Sequence, residues 1–422
     1  MECFTMPPES RADHATADRW LSIVGIGEDG IAGLGENARQ AIRSATTVFG
    51  GRRHLELAQA LVRGEAKPWP APFDPQMREV LALRGTPVCV LASGDPFLFG
   101  VGVTLSRHLE PQEYATFPAP SAFSLAAARL GWALQDVETV SLHGRPVDLI
   151  RPLLHPGRRL LALTSDSRGP ADVARLLAEA GFGGSILTVL EALGGESERI
   201  RTSSASAFAL EDINELNLVA LEIRTDGPAR ILPLATGLDD HLFEHDGQMT
   251  KREIRAVTLS ALAPRRGELL WDIGAGSGSI GIEWMLRHPS MRAIGIEADP
   301  VRATRARRNA QAFGVPGLSI VEGSAPSALV GLEPPDAIFI GGGGSEPGVL
   351  ETAMDCLKPE GRLVANAVTL EMEAVLLAAQ ARFGGHLIRL QVSRAEPVGN
   401  MQGWRSAMPV TQWTWQKNGG DT

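Results

Sequence analysis

Short apolar runs typical of β-strands alternate with helical patterns from residue 20 to the end of this 422-residue chain. Strands separated by helices in this way form parallel sheets covered by helices. In the first half the strand-like runs are 20–27, 47–51, 87–94, 115–119, 139–144, 159–165, 186–193 and 216–223. The pattern therefore predicts an α/β protein.

A second series of strands begins after segment 224–248, which is rich in Gly, Pro and Asp and has no sustained period. We place a domain boundary near residue 236, which gives an N-terminal extension 1–19 and domains 20–236 and 237–422. The second domain opens with a predicted helix over 250–262. Its strands are predicted at 269–273, 292–297, 318–323, 336–342, 362–367, 386–394 and 406–415, the last two forming a hairpin.

The cysteines and the apolar runs exclude several classes of protein. Cys3, Cys89 and Cys356 lie far apart, so the sequence predicts neither a disulfide framework nor a zinc site. We expect no metal in the protein. No apolar run approaches the roughly 20 residues of a membrane span, and the first residues lack the apolar core of a signal peptide. We therefore expect a cytoplasmic protein with no membrane partner.

The charge balance disfavours polyanionic partners. The net charge is −9, which repels nucleic acid, so we expect no nucleic-acid partner. The basic residues are nearly all arginine. Codon bias explains this composition, and a functional alternative is that the planar guanidinium suits a ligand with several carboxylates.

The most informative motif follows the strand 269–273. Asp272 precedes a glycine loop, and Glu297 ends the next predicted strand. Glycines permit a sharp strand-to-helix turn and close approach of a ligand to the backbone. The spacing also satisfies the dinucleotide fingerprint, so the residues alone leave a nicotinamide-dependent enzyme open. The candidate cofactor contacts in this loop are Gly274, Ala275, Gly276, Ser277 and Gly278.

This context resembles the class I S-adenosylmethionine (SAM) methyltransferases, with their seven-stranded Rossmann-like sheet. The resemblance implies that Glu297 accepts hydrogen bonds from the ribose hydroxyls and that the loop after the third strand lies against the adenine. The further cofactor contacts that it implies are Gly323, Ser324, Ala325 and Gly341. Glycines at 341–344 replace the aromatic signature of amino-group methyltransferases, which leaves space for a bulky substrate attacked at carbon, or forms a loop without chemical meaning.

Three strings in the first half resemble the tetrapyrrole methylases, an unrelated SAM-binding fold of two α/β lobes with the cofactor in the cleft. They are VGIG (24–27), ASGDPFLFG (92–100) and Pro120-Ser121-Ala122. Most members of that family read Gly-Pro-Gly where this chain has Gly27-Glu28-Asp29. The resemblance implies that the cofactor contacts of the first domain are Gly94, Asp95, Ser121 and Ala122.

A tetrapyrrole methylase followed by a class I methyltransferase is similar to the decarboxylating precorrin methyltransferases of cobalamin biosynthesis. The resemblance implies two SAM molecules per chain, precorrin-6Y as tetrapyrrole substrate and precorrin-8 as product. The first domain would methylate carbon 5, and the second would methylate carbon 15 and decarboxylate the ring C acetate. Meso carbons react as enamine-type nucleophiles with an already activated methyl group, so we nominate no catalytic residue.

The segment preceding the second glycine loop supplies candidate substrate contacts. Thr250 and Glu253 have the spacing of a capping box, which would explain both without a ligand. Lys251 and Arg255 are four residues apart and share a helical face, so they would pair with carboxylates of the macrocycle if the resemblance holds. Thr250 and Gly342 complete the candidate substrate set. An RNA methyltransferase remains the alternative enzyme, and we expect a homo-oligomer.

Overall fold

The computed structural model describes residues 19–418, which form two compact units. Unit 1 comprises the described residues up to 145 together with 157–227, and unit 2 comprises 146–156 and the residues from 228 onward. The predicted extension 1–19 lies outside the described residues except for Arg19. The boundary at residue 236, which falls inside unit 2, stays a prediction. None of the helices within residues 19–418 combines the length and the hydrophobicity of a membrane-spanning segment.

The first lobe of unit 1 is a five-stranded parallel sheet with the order β3-β2-β4-β1-β5. The connections that follow β1 and β4 run in opposite directions, so the carboxyl ends of these two strands border a crevice of the kind that binds ligands in open α/β sheets. The elements are β1 (Leu21–Ile26), α1 (Glu36–Ser44), β2 (Thr47–Gly50), α2 (Arg52–Ala58), β3 (Glu65–Pro68), α3 (Arg78–Leu81), β4 (Val88–Ser93), α4 (Val101–Leu105) and β5 (Tyr114–Phe117).

The second lobe of unit 1 is a mixed sheet with the order β6-β7-β10-β8-β9, in which only β6 and β7 are parallel. Phe123 and Ala126 of its first helix are buried against this sheet. The elements are α5 (Ala122–Leu130), β6 (Glu138–Ser141), β7 (Arg159–Leu163), α6 (Gly169–Glu179), β8 (Ile186–Glu191), β9 (Arg199–Ser204) and β10 (Asn217–Glu222).

Unit 2 contains a seven-stranded sheet with the order β13-β12-β11-β14-β15-β19-β16. The first five strands are parallel, and β19 runs antiparallel to both of its neighbours, β15 and β16, which confirms the predicted class I architecture. The elements are α7 (Arg252–Leu262), β11 (Leu269–Ile273), α8 (Ser279–Met285), β12 (Arg292–Glu297), α9 (Pro300–Ala312), β13 (Ser319–Glu322), β14 (Ala337–Ile340), α10 (Val349–Cys356), β15 (Arg362–Ala367), α11 (Leu370–Phe383), β16 (His386–Leu390), β17 (Ser393–Val398), β18 (Met401–Ser406) and β19 (Val410–Gln416).

Both faces of the unit 2 sheet are buried, as helices on both sides of a parallel sheet require. Trp271 and Trp413 belong to the core on one face, and Phe339 belongs to the core on the other face. The predicted terminal hairpin is only partly right. Strands β16 and β19 pair antiparallel, but the residues between them form a separate hairpin of β17 and β18 instead of a short loop.

Segment 146–156 packs within unit 2, although the chain on both sides of it belongs to unit 1. It contains a 3-10 helix, Val147–Leu153, which lies against α9. Gly314 follows α9 with a φ of 72°, and a Cβ there would lie 2.4 Å from Cδ of Pro152. The close approach of the segment therefore requires glycine at this position.

Candidate cofactor and substrate sites

The glycine loop of unit 2 joins β11 to α8 and lies against the end of β12. The backbone N–H groups of Gly274 and Ala275 donate to the carbonyl of Ile296 at 2.9 and 3.0 Å. The N–H of Gly276 donates to Oε2 of Glu297 at 2.7 Å. These bonds hold the loop beside the carboxylate that the sequence predicts for the ribose.

The same loop touches the residues that follow β14. Gly274 has a φ of 74°, and a Cβ there would lie 2.6 Å from the backbone N and O of Gly342. The N–H of Gly341 donates to the carbonyl of Ile273 at 3.0 Å. The structure therefore brings Gly341 and Gly342 against the glycine loop, as predicted for the neighbouring ends of parallel strands.

Glu297 and the loop after β13 are also joined. Oε1 of Glu297 accepts the N–H of Asp299 at 3.0 Å, and its backbone carbonyl accepts the N–H of Gly323 at 3.0 Å. Ser324 and Ala325 follow directly, with Ser324 exposed and Ala325 half-buried. The carboxyl ends of β11, β12, β13 and β14 thus form one continuous edge that holds all the predicted cofactor residues of this unit.

The loop residues present groups that suit a nucleoside. The hydroxyl of Ser277 is buried and has no hydrogen-bond partner within the described structure. A Cβ on Gly276 would lie 3.7 Å from its nearest neighbour, the carbonyl oxygen of Gln248. A ligand can therefore approach the backbone closely at this position. Asn309, which the sequence analysis missed, fixes the loop by donating from Nδ2 to the carbonyl of Ser277 at 2.8 Å. These residues fit SAM.

Asp272 lies beneath the loop, and its side chain is buried. Its Oδ2 accepts the N–H of Gly281 in α8 at 3.0 Å, so it connects the strand to the helix. Burial is the main cause that raises the pKa of Asp272 to about 7; the hydrogen bond from Gly281 opposes this rise and the nearby charge of Glu297 adds to it. Asp272 therefore stabilises the glycine loop by joining the strand before it to the helix after it.

Arg255 does not have the role that the sequence predicted. Its side chain is completely buried, with Nε 2.5 Å from Oε1 of Glu283 and Nη1 3.0 Å from Oδ1 of Asp240. Nη1 also donates to the carbonyl of Thr250 at 2.6 Å, and Nη2 donates to the carbonyl of Leu238. The expectation that Arg255 pairs with substrate carboxylates is therefore wrong, because its guanidinium is enclosed and bonded within unit 2.

The capping box predicted for Thr250 and Glu253 is also absent from the described structure. Lys251 is the N-cap of α7, with extended backbone and no side-chain cap, and Glu253 pairs with Arg394 of β17. Lys251 is half-buried and directly precedes the helix, and its carbonyl accepts the N–H of Arg255 at 2.8 Å. Lys251, Thr250 and Gly342 stay predictions as substrate contacts.

In unit 1 the ends of β1, β4 and β5 meet closely. A Cβ on Gly25 would lie 1.8 Å from the carbonyl oxygen of Gly94 and 2.7 Å from the N of Ala119. Gly94 has a φ of 54°, and a Cβ there would lie 2.8 Å from the carbonyl of Pro120. The structure thus unites the three strings that resemble the tetrapyrrole methylases.

The remaining predicted residues of unit 1 stabilise local turns. Oδ1 of Asp95 accepts the N–H of Phe97 at 2.8 Å, which shapes the turn after β4. Ser121 is the N-cap of α5, and its hydroxyl accepts the N–H of Ser124 at 3.1 Å. Ala122 is the first residue of that helix. Their capping roles are compatible with a cofactor contact, which stays a prediction.

A polar cluster beside Gly94 was missed by the sequence analysis. Nε2 of His54 lies 2.8 Å from the hydroxyl of Ser93, and Nη2 of Arg53 lies 3.1 Å from the same hydroxyl. Arg53 also pairs with Glu28. Burial, and secondarily Arg53, lowers the pKa of His54 to about 4. The available signal was the Gly50-Gly51-Arg52-Arg53-His54 string at a strand end of the same sheet. Within residues 19–418, no group of acidic, His or Cys side chains is suited to hold a metal.

The comparisons with known proteins cover both halves of the chain. The family of Tetrapyrrole (Corrin/Porphyrin) Methylases matches residues 21–209, and the Precorrin methyltransferase domain matches residues 241–417. A Sinorhizobium protein named precorrin-6Y C(5,15)-methyltransferase [decarboxylating] is 62% identical over 98% of this chain and 100% of its own length. The protein of the same name from Mycobacterium tuberculosis is 43% identical over 93% of this chain and 99% of its own.

A shorter relative matches only part of the chain. The cobalt-precorrin-6B C(15)-methyltransferase (decarboxylating) of Salmonella typhimurium is 36% identical over 38% of this chain and 85% of its own length. The two full-length matches confirm the resemblance that the glycine loops indicated. The chain belongs to the family of decarboxylating precorrin-6Y C(5,15)-methyltransferases, which join a tetrapyrrole methylase to a class I methyltransferase.

Proposed function

We propose that this chain uses SAM to methylate precorrin-6Y at carbons 5 and 15 and removes the ring C acetate carboxylate, giving precorrin-8 in cobalamin biosynthesis. The observation that carries the proposal is the presence of both SAM-binding architectures in a chain that matches the Sinorhizobium enzyme over that enzyme's full length. Each unit has its own glycine-lined edge, which supports two SAM molecules per chain.

We further propose that residues 1–236 methylate carbon 5 and that residues 237–422 methylate carbon 15 and decarboxylate. The Salmonella relative, named for carbon 15 methylation with decarboxylation, covers only 38% of this chain. In that relative one module therefore carries both steps. The exposed glycines 341–343 at the carboxyl edge of unit 2 leave room for a large ring beside the cofactor loop.

The chemistry explains why one site can serve two steps. SAM supplies an electrophilic methyl group when bound. Transfer to carbon 15 would form a carbon–carbon bond while the sulfur–methyl bond breaks and S-adenosylhomocysteine leaves, and the positive charge of the sulfonium would pass to the conjugated ring. The carbon–carboxylate bond of the neighbouring acetate then breaks, its electron pair flows into the ring, and carbon dioxide leaves. The protein has to align the reactants and exclude water, which supplies most of the catalysis.

A pair of variants tests this division. Purified full-length protein would be incubated with SAM and precorrin-6Y, and the products analysed by mass spectrometry. Glu297→Gln, which alters the ribose-side carboxylate of unit 2, should yield a product with one added methyl group and no loss of carbon dioxide. Asp95→Asn, which alters the turn after β4 in unit 1, should yield a product that has gained one methyl group and lost carbon dioxide. Decarboxylation that follows unit 1 instead would refute the assignment.

We also propose that the protein is a homo-oligomer assembled through the hairpin of β17 and β18. Both strands pair only with each other, and an isolated two-stranded hairpin is marginally stable in water. Trp404 is 80% exposed and Met401 75% exposed. A second copy of the chain would cover these apolar side chains. Sedimentation of a Trp404→Glu, Met401→Glu variant should show a smaller species than the parent, and an unchanged mass would contradict the proposal.

The location and the remaining partners are proposed on electrostatic and redox grounds. The net charge of −9 supports the absence of a nucleic-acid partner, and weak retention on heparin at physiological salt is expected. The thiols of Cys89 and Cys356 are free, which fits a reducing cytoplasm. Firm heparin binding would instead favour an RNA substrate.

A further inference from the structure

Glu28 is a charged residue at the edge of the first sheet of unit 1. It lies in the loop after β1, between Gly27 and Asp29, and its side chain is 18% exposed. A Cβ on Gly195 would lie 2.9 Å from Cβ of Glu28, so Glu28 lies where the first lobe of unit 1 meets a loop of the second lobe. Its carboxylate pairs with the guanidinium of Arg53.

Arg53 is fixed by three neighbours and still faces solvent. Nη1 contacts Glu28, and Nη2 lies 3.0 Å from Nε2 of His54 and 3.1 Å from the hydroxyl of Ser93. Because a guanidinium only donates hydrogen bonds, Nε2 of His54 must act as an acceptor, so the imidazole is neutral. The side chain of Arg53 remains 38% exposed. A held cation and a held anion thus lie side by side at the ligand-binding edge of the sheet.

We infer that Glu28 and Arg53 form the receptor for the amino-acid end of the cofactor bound by unit 1, with Arg53 on the α-carboxylate and Glu28 on the α-ammonium. A zwitterion is the ligand class that such a pair complements, because each of its charges meets an opposite one. Guanidinium and carboxylate form strong charge-assisted hydrogen bonds, and partial burial makes these contacts stronger than in water. Without the ligand the two side chains neutralise each other.

The placement of the neighbouring groups agrees with this inference. Ser93 directly precedes Gly94, whose backbone borders the crevice between β1 and β4. The site carries no surplus of positive charge, since Glu28 balances Arg53 and His54 is neutral. A receptor for a polycarboxylate macrocycle would be expected to carry such a surplus, whereas a zwitterion requires none.

Two cofactor analogues distinguish a loss of contact with the amino-acid end of the ligand from a general disturbance of the fold. S-adenosylhomocysteine carries this end, and 5′-methylthioadenosine lacks it. Affinities of both would be measured by calorimetry in a full-length Glu297→Gln chain, in which the unit 2 site is weakened. Adding Arg53→Gln should lower the affinity for S-adenosylhomocysteine about 10-fold to 100-fold, as expected for a lost charged hydrogen bond. The affinity for 5′-methylthioadenosine should change less than about twofold. Arg52→Gln, at the exposed neighbouring arginine, is the matched control and should change neither affinity.

The possible results are distinct. Equal weakening of both analogues would show a merely structural role for Arg53 and overturn the inference. Unchanged S-adenosylhomocysteine affinity with a raised KM for the macrocycle would assign Arg53 to the substrate and also overturn it. The inference rests on the proposed binding of SAM by unit 1. Absence of any binding in the Glu297→Gln parent would therefore refute the two-cofactor proposal itself, whereas binding that Arg53→Gln leaves unaltered would refute only the receptor.

Discussion

Arg255 is enclosed by groups of unit 2, and its charge is balanced inside the protein. Glu283, its main partner, is also completely buried and accepts the N–H groups of Gly237 and Leu238 at 2.7 and 3.0 Å. The pair therefore ties α7 and α8 to the chain that enters unit 2. Removing one member of a buried ion pair leaves the other charge without compensation, which costs more than the pair itself contributes.

We predict that Arg255→Ala destabilises unit 2 by about 3–5 kcal/mol, the usual range for a buried charge left unpaired. Lys251→Ala, four residues earlier and half-buried, should change stability by less than about 1 kcal/mol. Unfolding in urea, followed by tryptophan fluorescence, measures both. A smaller effect of Arg255→Ala than of Lys251→Ala would contradict the buried-pair interpretation.

Asp272 gives unit 2 a defined pH dependence. Its pKa is about 7 in the folded protein and near 3.8 when unfolded, so between these values the folded state binds a proton that the unfolded state lacks. The contribution of Asp272 to stability therefore falls as the pH rises from about 4 to 7. Asp272→Asn keeps an acceptor for the N–H of Gly281 and carries no charge.

We therefore predict that Asp272→Asn gains stability relative to the parent as the pH rises from 5 to 7.5. Unfolding free energies of both proteins at several pH values test this. Asp336→Asn is a suitable control, since Asp336 is more exposed and pairs with Lys358 at 2.9 Å. A constant difference between Asp272→Asn and the parent across the range would show that burial does not perturb this carboxyl.

At the level of loops, the unit 2 site depends on the contact between the ends of β11 and β14. A Cβ on Gly274 would lie 2.6 Å from the backbone N and O of Gly342, so position 274 has no room for a side chain. Gly267 offers a matched comparison, because its φ of 86° is equally unfavourable for other residues but a Cβ there would meet nothing within 4 Å. The two glycines therefore separate backbone strain from steric conflict.

We predict that the left-handed backbone costs Gly274→Ala and Gly267→Ala about 1–2 kcal/mol of stability each, and that Gly274→Ala loses more because its methyl group meets the backbone of Gly342. Only Gly274→Ala should also weaken SAM binding by unit 2, because the new methyl group forces the loop away from Gly342. Calorimetric titration of SAM and urea unfolding provide the two readouts. Similar cofactor affinities in the two variants would show that the contact is not needed for binding.

The elements that the sequence predicts correctly are those with a strong apolar signal. Strands such as β1 and β11 are buried runs, and the glycine loop at 274–278 follows directly from one of them. Strands β3 and β9 were missed because they are polar edge strands, EAKP and RIRTSS. Their pairing depends on neighbouring strands and not on their own periodicity.

The sequence predicted those parts of the site that depend on backbone turns at strand ends. It did not predict which side chains pair with one another. Helical spacing predicted that Arg255 and Lys251 share a face. Spacing alone does not show that Arg255 has a buried carboxylate partner, Glu283. Likewise, Arg53 and His54 follow a strand end that the sequence located correctly. Only the three-dimensional arrangement shows that they reach Ser93 on the neighbouring strand β4.

An isolated C-terminal fragment would lack one part of unit 2. Fragment 228–422 contains the whole seven-stranded sheet but lacks segment 146–156, which packs within unit 2. We predict that this fragment still binds SAM and melts cooperatively, at a lower temperature than unit 2 melts in the full chain. Scanning calorimetry of both proteins measures the difference. Equal melting temperatures would show that the segment contributes nothing to the stability of unit 2.

Segment 146–156 also determines how the protein responds to being cut. The polypeptide crosses from one unit to the other after residues 145, 156 and 227. A single break between Gly227 and Pro228 therefore leaves one piece whose middle is still embedded in the fold of the other. Nicked protein should migrate as one species on a native gel and separate into two bands only after denaturation. Two genes divided at this point would encode polypeptides that reassemble by complementation, without any added linker.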